Sequence, residues 1–166
     1  VQIKDDPLKA ALIQIDLSQA VDTDANMKRI EGLIRNAAEQ DADLILLPAL
    51  AFNDELNSKQ KILQAAESFN GRIVTKIKKL AEELNVYIAF GFREKVSSSK
   101  TGNTAVLVND SGRILLSQRK RVLASSETGV TLAGSETVSV QTKFGTVILM
   151  ISKTVHSGGP GKVKDM

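Results

Sequence analysis

Leu44-Ile45-Leu46-Leu47-Pro48-Ala49 is the stretch on which the fold turns. Four consecutive aliphatic residues without polar alternation describe a strand covered on both faces, as in a parallel sheet flanked by helices. Pro48 has no amide hydrogen to give to a ladder, so the strand is expected to end there. Upstream, Met27, Ile30, Leu33, Ile34 and Ala37 recur at helical spacing and define one apolar face of a helix over about residues 25–40. Asp22-Thr23-Asp24 supply candidate N-caps, and Asp41-Ala42-Asp43 closes the segment. Further upstream, Lys9 to Asp16 (KAALIQID) reads as a short buried strand, so the chain opens β-α-β.

Downstream, a helical stretch runs from about Ser58 to Leu84, interrupted at Asn70-Gly71, with Val74, Ile77, Leu80, Ala81 and Leu84 as its buried stripe. Val86 to Phe92 (VYIAFGF) reads as a third strand. Thr104 to Asn109 and Arg113 to Gln118 flank Asp110-Ser111-Gly112, the pattern of a short-loop hairpin. A last strand pair, residues 136–142 and 146–152, surrounds Lys143-Phe144-Gly145. This order implies an α/β fold, with a largely parallel half under helices and a mixed half built from hairpins. No internal repeat is present. Residues 153–166, with Gly158-Gly159-Pro160-Gly161, are expected to form a flexible tail.

The chain has 166 residues, of which 42% are hydrophobic and 25% charged, enough to bury a core without metals or disulfides. It contains no cysteine, which excludes disulfides, thiolate metal sites and a cysteine nucleophile within it. His156, the single histidine, lies in the glycine-rich segment with no base or nucleophile pattern around it and reads as inert. That segment is no phosphate loop, since no Gly-Lys-Ser/Thr follows. No cofactor or metal is expected. The net charge of +3 is modest, and Lys76/Lys78/Lys79 and Arg119/Lys120/Arg121 read as solvated faces or strand ends. Aromatic residues make up 4% and tryptophan is absent, so base-stacking platforms are missing and nucleic-acid binding is not expected. No apolar run approaches the ~20 residues that span a bilayer. Val1 to Pro7 lacks the apolar core of a signal peptide, which makes a cytoplasmic location the default expectation.

Several segments resemble, in order, the nitrilase or carbon–nitrogen hydrolase superfamily. Residues 9–16 and 26–48 resemble its opening β-α-β. Gly91-Phe92-Arg93-Glu94 resembles its glycine-x-x-glutamate strand end, and Asn103-Thr104-Ala105 with Asp110-Ser111-Gly112 its following hairpin. Arg119-Lys120 with Leu123 resembles the arginine-lysine pair that carries the family's lysine. Glu127, before Leu132-Ala133-Gly134, resembles a second glutamate, and Phe144-Gly145 with Val147 to Ile151 the strand before the nucleophile. The resemblance covers residues 8–152. It implies an α-β-β-α sandwich of mixed sheets with helices on the outer faces, here truncated: a partial hydrolase domain over 1–152, then the tail.

The resemblance also implies a chemistry. A glutamate after the Leu-Leu-Pro run deprotonates a cysteine, the thiolate attacks an amide or nitrile carbon, and a lysine stabilises the oxyanion. In this chain the base position holds Ala49 and the nucleophile position Ser152, while Lys120 and Glu127 are retained. The residues after Ser152 also depart from the family pattern, at Lys153 and Thr154. Glu55 offers an alternative base if the Ala49 match is shifted. The leading expectation is a family member impaired in catalysis, related to hydrolases of amides, nitriles and N-carbamoyl compounds. Two alternatives stand beside it: a residual amide hydrolase pairing Ser152 with Lys120, and a non-catalytic binding or assembly module. A truncated or frame-shifted reading frame, an engineered fragment or a diverged pseudoenzyme would each account for the shortened pattern. A half-built sheet leaves edges and apolar faces open, so a homodimer or higher homo-oligomer is expected.

Overall fold

The computed structural model describes residues 7–16, 23–52 and 58–151. Five strands form the main sheet in the order β1 (Ala10–Leu12), β2 (Leu44–Leu46), β3 (Tyr87–Lys95), β4 (Thr101–Val108) and β5 (Ile114–Arg119). β1, β2 and β3 are parallel, because helical crossovers join them. The crossovers hold α1 (Thr23–Glu39), then α2 (Lys59–Gln64) and α3 (Arg72–Leu84). β4 and β5 add to the sheet antiparallel. A two-stranded sheet of β6 (Ser139–Thr142) and β7 (Gly145–Ile148) completes the described elements.

The period of two along β3 divides its residues between two environments. Ile88, Phe90 and Phe92 point into the core with Ile30, Ile34, Ile73, Val74, Ile77 and Leu80 of α1 and α3. Each such side chain, fully buried, contributes about 1.5–3 kcal/mol. Phe90 meets Phe52 edge-on at 6.1 Å between ring centroids. The opposite face begins with Tyr87 and Ala89, which with Leu107 and Leu116 pack against Val140, Phe144 and Val147 of the β6–β7 hairpin. Tyr87 and Phe144 stack edge-on at 4.9 Å. The sheet is therefore covered by helices on one face and by the small hairpin on the other.

The structure departs from these expectations, or adds to them, at several places. The first strand is three residues long rather than eight, and forms the outer edge of the sheet. The helical stretch over 58–84 is two helices, with the break wider than Asn70-Gly71. Within it Glu67 pairs with β3: its amide donates to the Arg93 carbonyl at 2.9 Å, and its carbonyl accepts from the Lys95 amide at 2.8 Å. The Glu67 carboxylate also accepts from the Ile73 amide at 2.9 Å, capping α3 from outside where Gly71 has no side chain to do so. Finally, β3 and β4 form a hairpin across Val96–Lys100, a loop of serines without the Asn-Gly or Asp-Gly signal of a short turn. The β4–β5 hairpin lies where the sequence places it. The Asn109 Oδ1 accepts there from the Ser111 and Arg113 amides at 3.2 and 2.8 Å.

Among the described residues no helix is long and apolar enough to cross a membrane, and no group of three or more His, Asp or Glu side chains is placed to hold a metal ion.

Candidate functional site

The candidate residues meet where β3 and β5 end and β4 begins. Lys120 follows β5 directly, and its amide donates to the Asn103 carbonyl at 2.8 Å, continuing the β4–β5 ladder by one step. That register sets the direction of the Lys120 side chain, which is 8% exposed. A short 3-10 turn, Ser125–Glu127, returns Glu127 to it. Lys120 Nζ donates to Glu127 Oε2 at 2.7 Å. The same carboxylate accepts from the Ala124 amide at 2.7 Å and, through Oε1, from Asn103 Nδ2 at 3.4 Å. Burial pushes the Glu127 carboxyl up, but the bonds from Lys120, Ala124 and Asn103, with the lysine's charge, hold it below the ordinary range. The arrangement is a buried ammonium with a fixed direction, the form in which a lysine can stabilise a developing negative charge.

The segment after this turn is held against the end of β5 by close backbone packing. The Gly134 amide donates to the Lys120 carbonyl at 2.9 Å. A Cβ on Gly134 would lie 2.6 Å from the Arg119 carbonyl oxygen, so this approach requires glycine.

On the helix-covered face, Arg119 binds Glu94 through two parallel bonds, Nε to Oε2 and Nη2 to Oε1, both 2.7 Å. The Thr104 hydroxyl adds a third bond to Glu94 Oε2 at 2.7 Å. Burial raises the Glu94 carboxyl, and the bonds from Arg119 and Thr104 outweigh it, so the pKa falls below the ordinary range. This triad ties β3, β4 and β5 together beneath Lys120. Adjacent residues of the Arg119-Lys120 pair therefore serve opposite faces: one fastens the strands and the other reaches the site.

Ala49 lies on the Lys120 face. A Cβ on Gly91 would fall 1.8 Å from the Ala49 carbonyl oxygen and 2.7 Å from its Cα, so the chain after Pro48 runs directly across Gly91. Gly91 points to the same side of β3 as Arg93, whose cross-strand partner is Asn103. The Ala49 methyl is exposed and carries no titratable group. Ser152, Glu55 and His156 lie outside the described residues.

Arg93 is the residue whose significance sequence reading missed. It is 5% exposed, and its Nε and Nη1 have no hydrogen-bond partner. Within a glycine-x-x-glutamate match it occupies an unspecified position, and only the alternation of β3 signals that it shares a face with Ala49's neighbour Gly91. Asn103 Oδ1 and Thr131 Oγ1 are likewise buried without partners.

Comparison with known proteins gives one answer over most of the chain. The carbon-nitrogen hydrolase family model matches residues 9–155. The omega-amidase NIT2 of Bos taurus is 30% identical over 138 residues, which is 82% of this chain and 49% of that protein. An amidase from Nesterenkonia sp. has the same fold, with a TM-score of 0.76 at 19% identity over 90% of this chain and 57% of that one. A variant of the Nesterenkonia amidase carries the acetamide moiety of fluoroacetamide covalently on its active-site cysteine; it aligns with a TM-score of 0.75 at 20% identity, over 86% of this chain and 54% of its own. The chain spans about half the length of the curated relatives it matches. With this match over most of its length, the chain belongs to the carbon–nitrogen hydrolase family.

Proposed function

We propose that this chain is an amidase-like family member that keeps the oxyanion side of the hydrolase site and has lost the groups that start the reaction. The observation that carries this reading is Ala49, which lies over Gly91 on the Lys120 face and offers no proton acceptor. The lysine, held by Glu127, is a cation aimed at the site. In the Nesterenkonia amidase the covalent adduct forms on a cysteine, and this chain has none. Ser152 takes the nucleophile position in this reading, and a hydroxyl without a base is a poor nucleophile. A Ser152–Lys120 pair would need the amine as proton acceptor. Its commitment as donor to Glu127 at 2.7 Å counts against that role.

The test is incubation with primary amides, N-carbamoyl compounds and nitriles, followed by ammonia release and intact mass. No turnover and no acyl adduct are expected. Turnover that Ser152→Ala abolishes would replace this reading with the serine hydrolase.

Self-association belongs to the same proposal. Among the described residues β1 is a sheet edge without a further strand, its Leu12 is 74% exposed, and Ile148 at the end of β7 and Met150 beyond it are 48% and 67% exposed. Such surfaces favour a homodimer or higher assembly. Sedimentation velocity across a hundredfold range of concentration should show a species heavier than the monomer; a single monomeric boundary throughout would refute it.

A further inference from the structure

Arg93 sets an electrostatic problem that the described protein does not solve. A guanidinium keeps its charge at any pH a protein survives. Burying it without a partner costs several kcal/mol. Its Nε and Nη1 are closed to solvent and bond to nothing. Burial pulls its pKa down, and Glu127 is the carboxylate whose charge opposes this. Yet Glu127 already receives Lys120, the Ala124 amide and Asn103. On the other face, Glu94 is saturated by Arg119 and Thr104. Among the described residues, the site face thus holds two cations, Arg93 and Lys120, against the single carboxylate of Glu127, which leaves an excess of one positive charge. Asn103 Oδ1, across the strand pair from Arg93, is also unbonded. A bond between those two would satisfy a donor but would not neutralise the charge.

The position to which the family resemblance assigns an acid lies on the same face of β3 as this cation. Ala49 crosses Gly91, two residues from Arg93 on the same side of β3, and Ala49 itself is exposed. We infer that Arg93 anchors a carboxylate-bearing ligand, whose carboxylate enters beside Ala49 and supplies the one negative charge that the described residues of this face lack. Planar, bidentate pairing with a carboxylate is the recognition that a guanidinium serves best. Because Nε and Nη1 are covered, entry needs local opening, so association is slower than for an open site. The inference rests on reading this face as a ligand site but not on any turnover there.

The experiment is a titration of the full chain with butyrate and with butyramide, molecules of equal size that differ in charge, read by calorimetry and by the Arg93 Nε–H resonance. Butyrate should bind about tenfold or more tightly than butyramide, as expected when a charged partner is exchanged for a neutral one. The preference should persist at about 0.2 M chloride, where contacts on the open surface are screened. Arg93→Met should lose that preference and raise the unfolding midpoint of the unliganded chain, because it removes an unpaired buried charge. Ala49→Glu should weaken butyrate by a similar factor, since its own carboxylate would occupy the cation. Equal binding of butyrate and butyramide, no binding of butyrate, or unchanged selectivity in Arg93→Met would overturn the inference. If Arg93→Met fails to fold, Ala49→Glu decides alone, and unweakened butyrate binding in that variant is then the refuting result. The readout is binding, so a hydrolase reading that fails by showing serine-dependent turnover leaves this result to stand or fall separately.

Discussion

Lys120→Met is expected to destabilise the chain by about 3–5 kcal/mol at neutral pH, the cost of breaking a buried ion pair from one side. The two side chains are 10% and 15% exposed, so solvent cannot replace the lost partner. Glu127 would keep the Ala124 amide and Asn103 but lose its cation. The pH dependence separates this cause from simple loss of packing. The Glu127 carboxyl is held below its ordinary range in the folded state, so its contribution is fully present above the unfolded-state pKa and is lost as pH falls through the folded value. The gap between wild type and Lys120→Met should therefore be widest near pH 7 and narrow in acid, as seen by urea unfolding at several pH values. In Lys120→Met/Glu127→Leu, where no charge is stranded, much of the stability should return. A gap that stays constant from pH 7 to pH 3 would assign the effect to packing alone.

Gly91→Ala carries the second large effect. The added methyl would lie 1.8 Å from the Ala49 carbonyl oxygen and 2.4 Å from its carbon, and backbone cannot rotate away as a side-chain tip can. Either the chain after Pro48 lifts off β3 or β3 shifts from β4. The expected cost is about 3 kcal/mol, at or above the upper end for overpacking. Amide resonances of residues 47–52 should move with it, because that segment is the one displaced. Gly32→Ala is the matched control: it sits inside α1, a Cβ there meets nothing within 4 Å, and the change should stabilise by about 0.5–1 kcal/mol. A harmless Gly91→Ala would show that the Ala49 segment does not rest on β3.

Much of this architecture could be read from the sequence because its signals are local. The apolar run Leu44–Leu47 and the spacing of Ile30, Ile34 and Ala37 set a strand after a helix, and the structure pairs β1, β2 and β3 in parallel as that order requires. Where the signal was not local, the reading fell short. Glu67 leaves the helix period to pair with β3 and to cap α3, and neither contact can be seen from its neighbours in sequence. The β3–β4 hairpin turns through serines with no φ-specific residue to announce it.

The same distinction divides the site. Family resemblance picked out Lys120, Glu127 and the altered position Ala49 one at a time, as residue types in a pattern. Only the fold brings Lys120 Nζ to 2.7 Å from Glu127 Oε2, since a ladder step at Asn103 and a 3-10 turn must both form first. That position 49 holds an alanine was thus written in the sequence itself. That this alanine crosses Gly91, on the face of β3 where Arg93 buries its Nε and Nη1 without partners, was decided by tertiary structure, because charge balance belongs to groups that share a volume, whatever their distance along the chain.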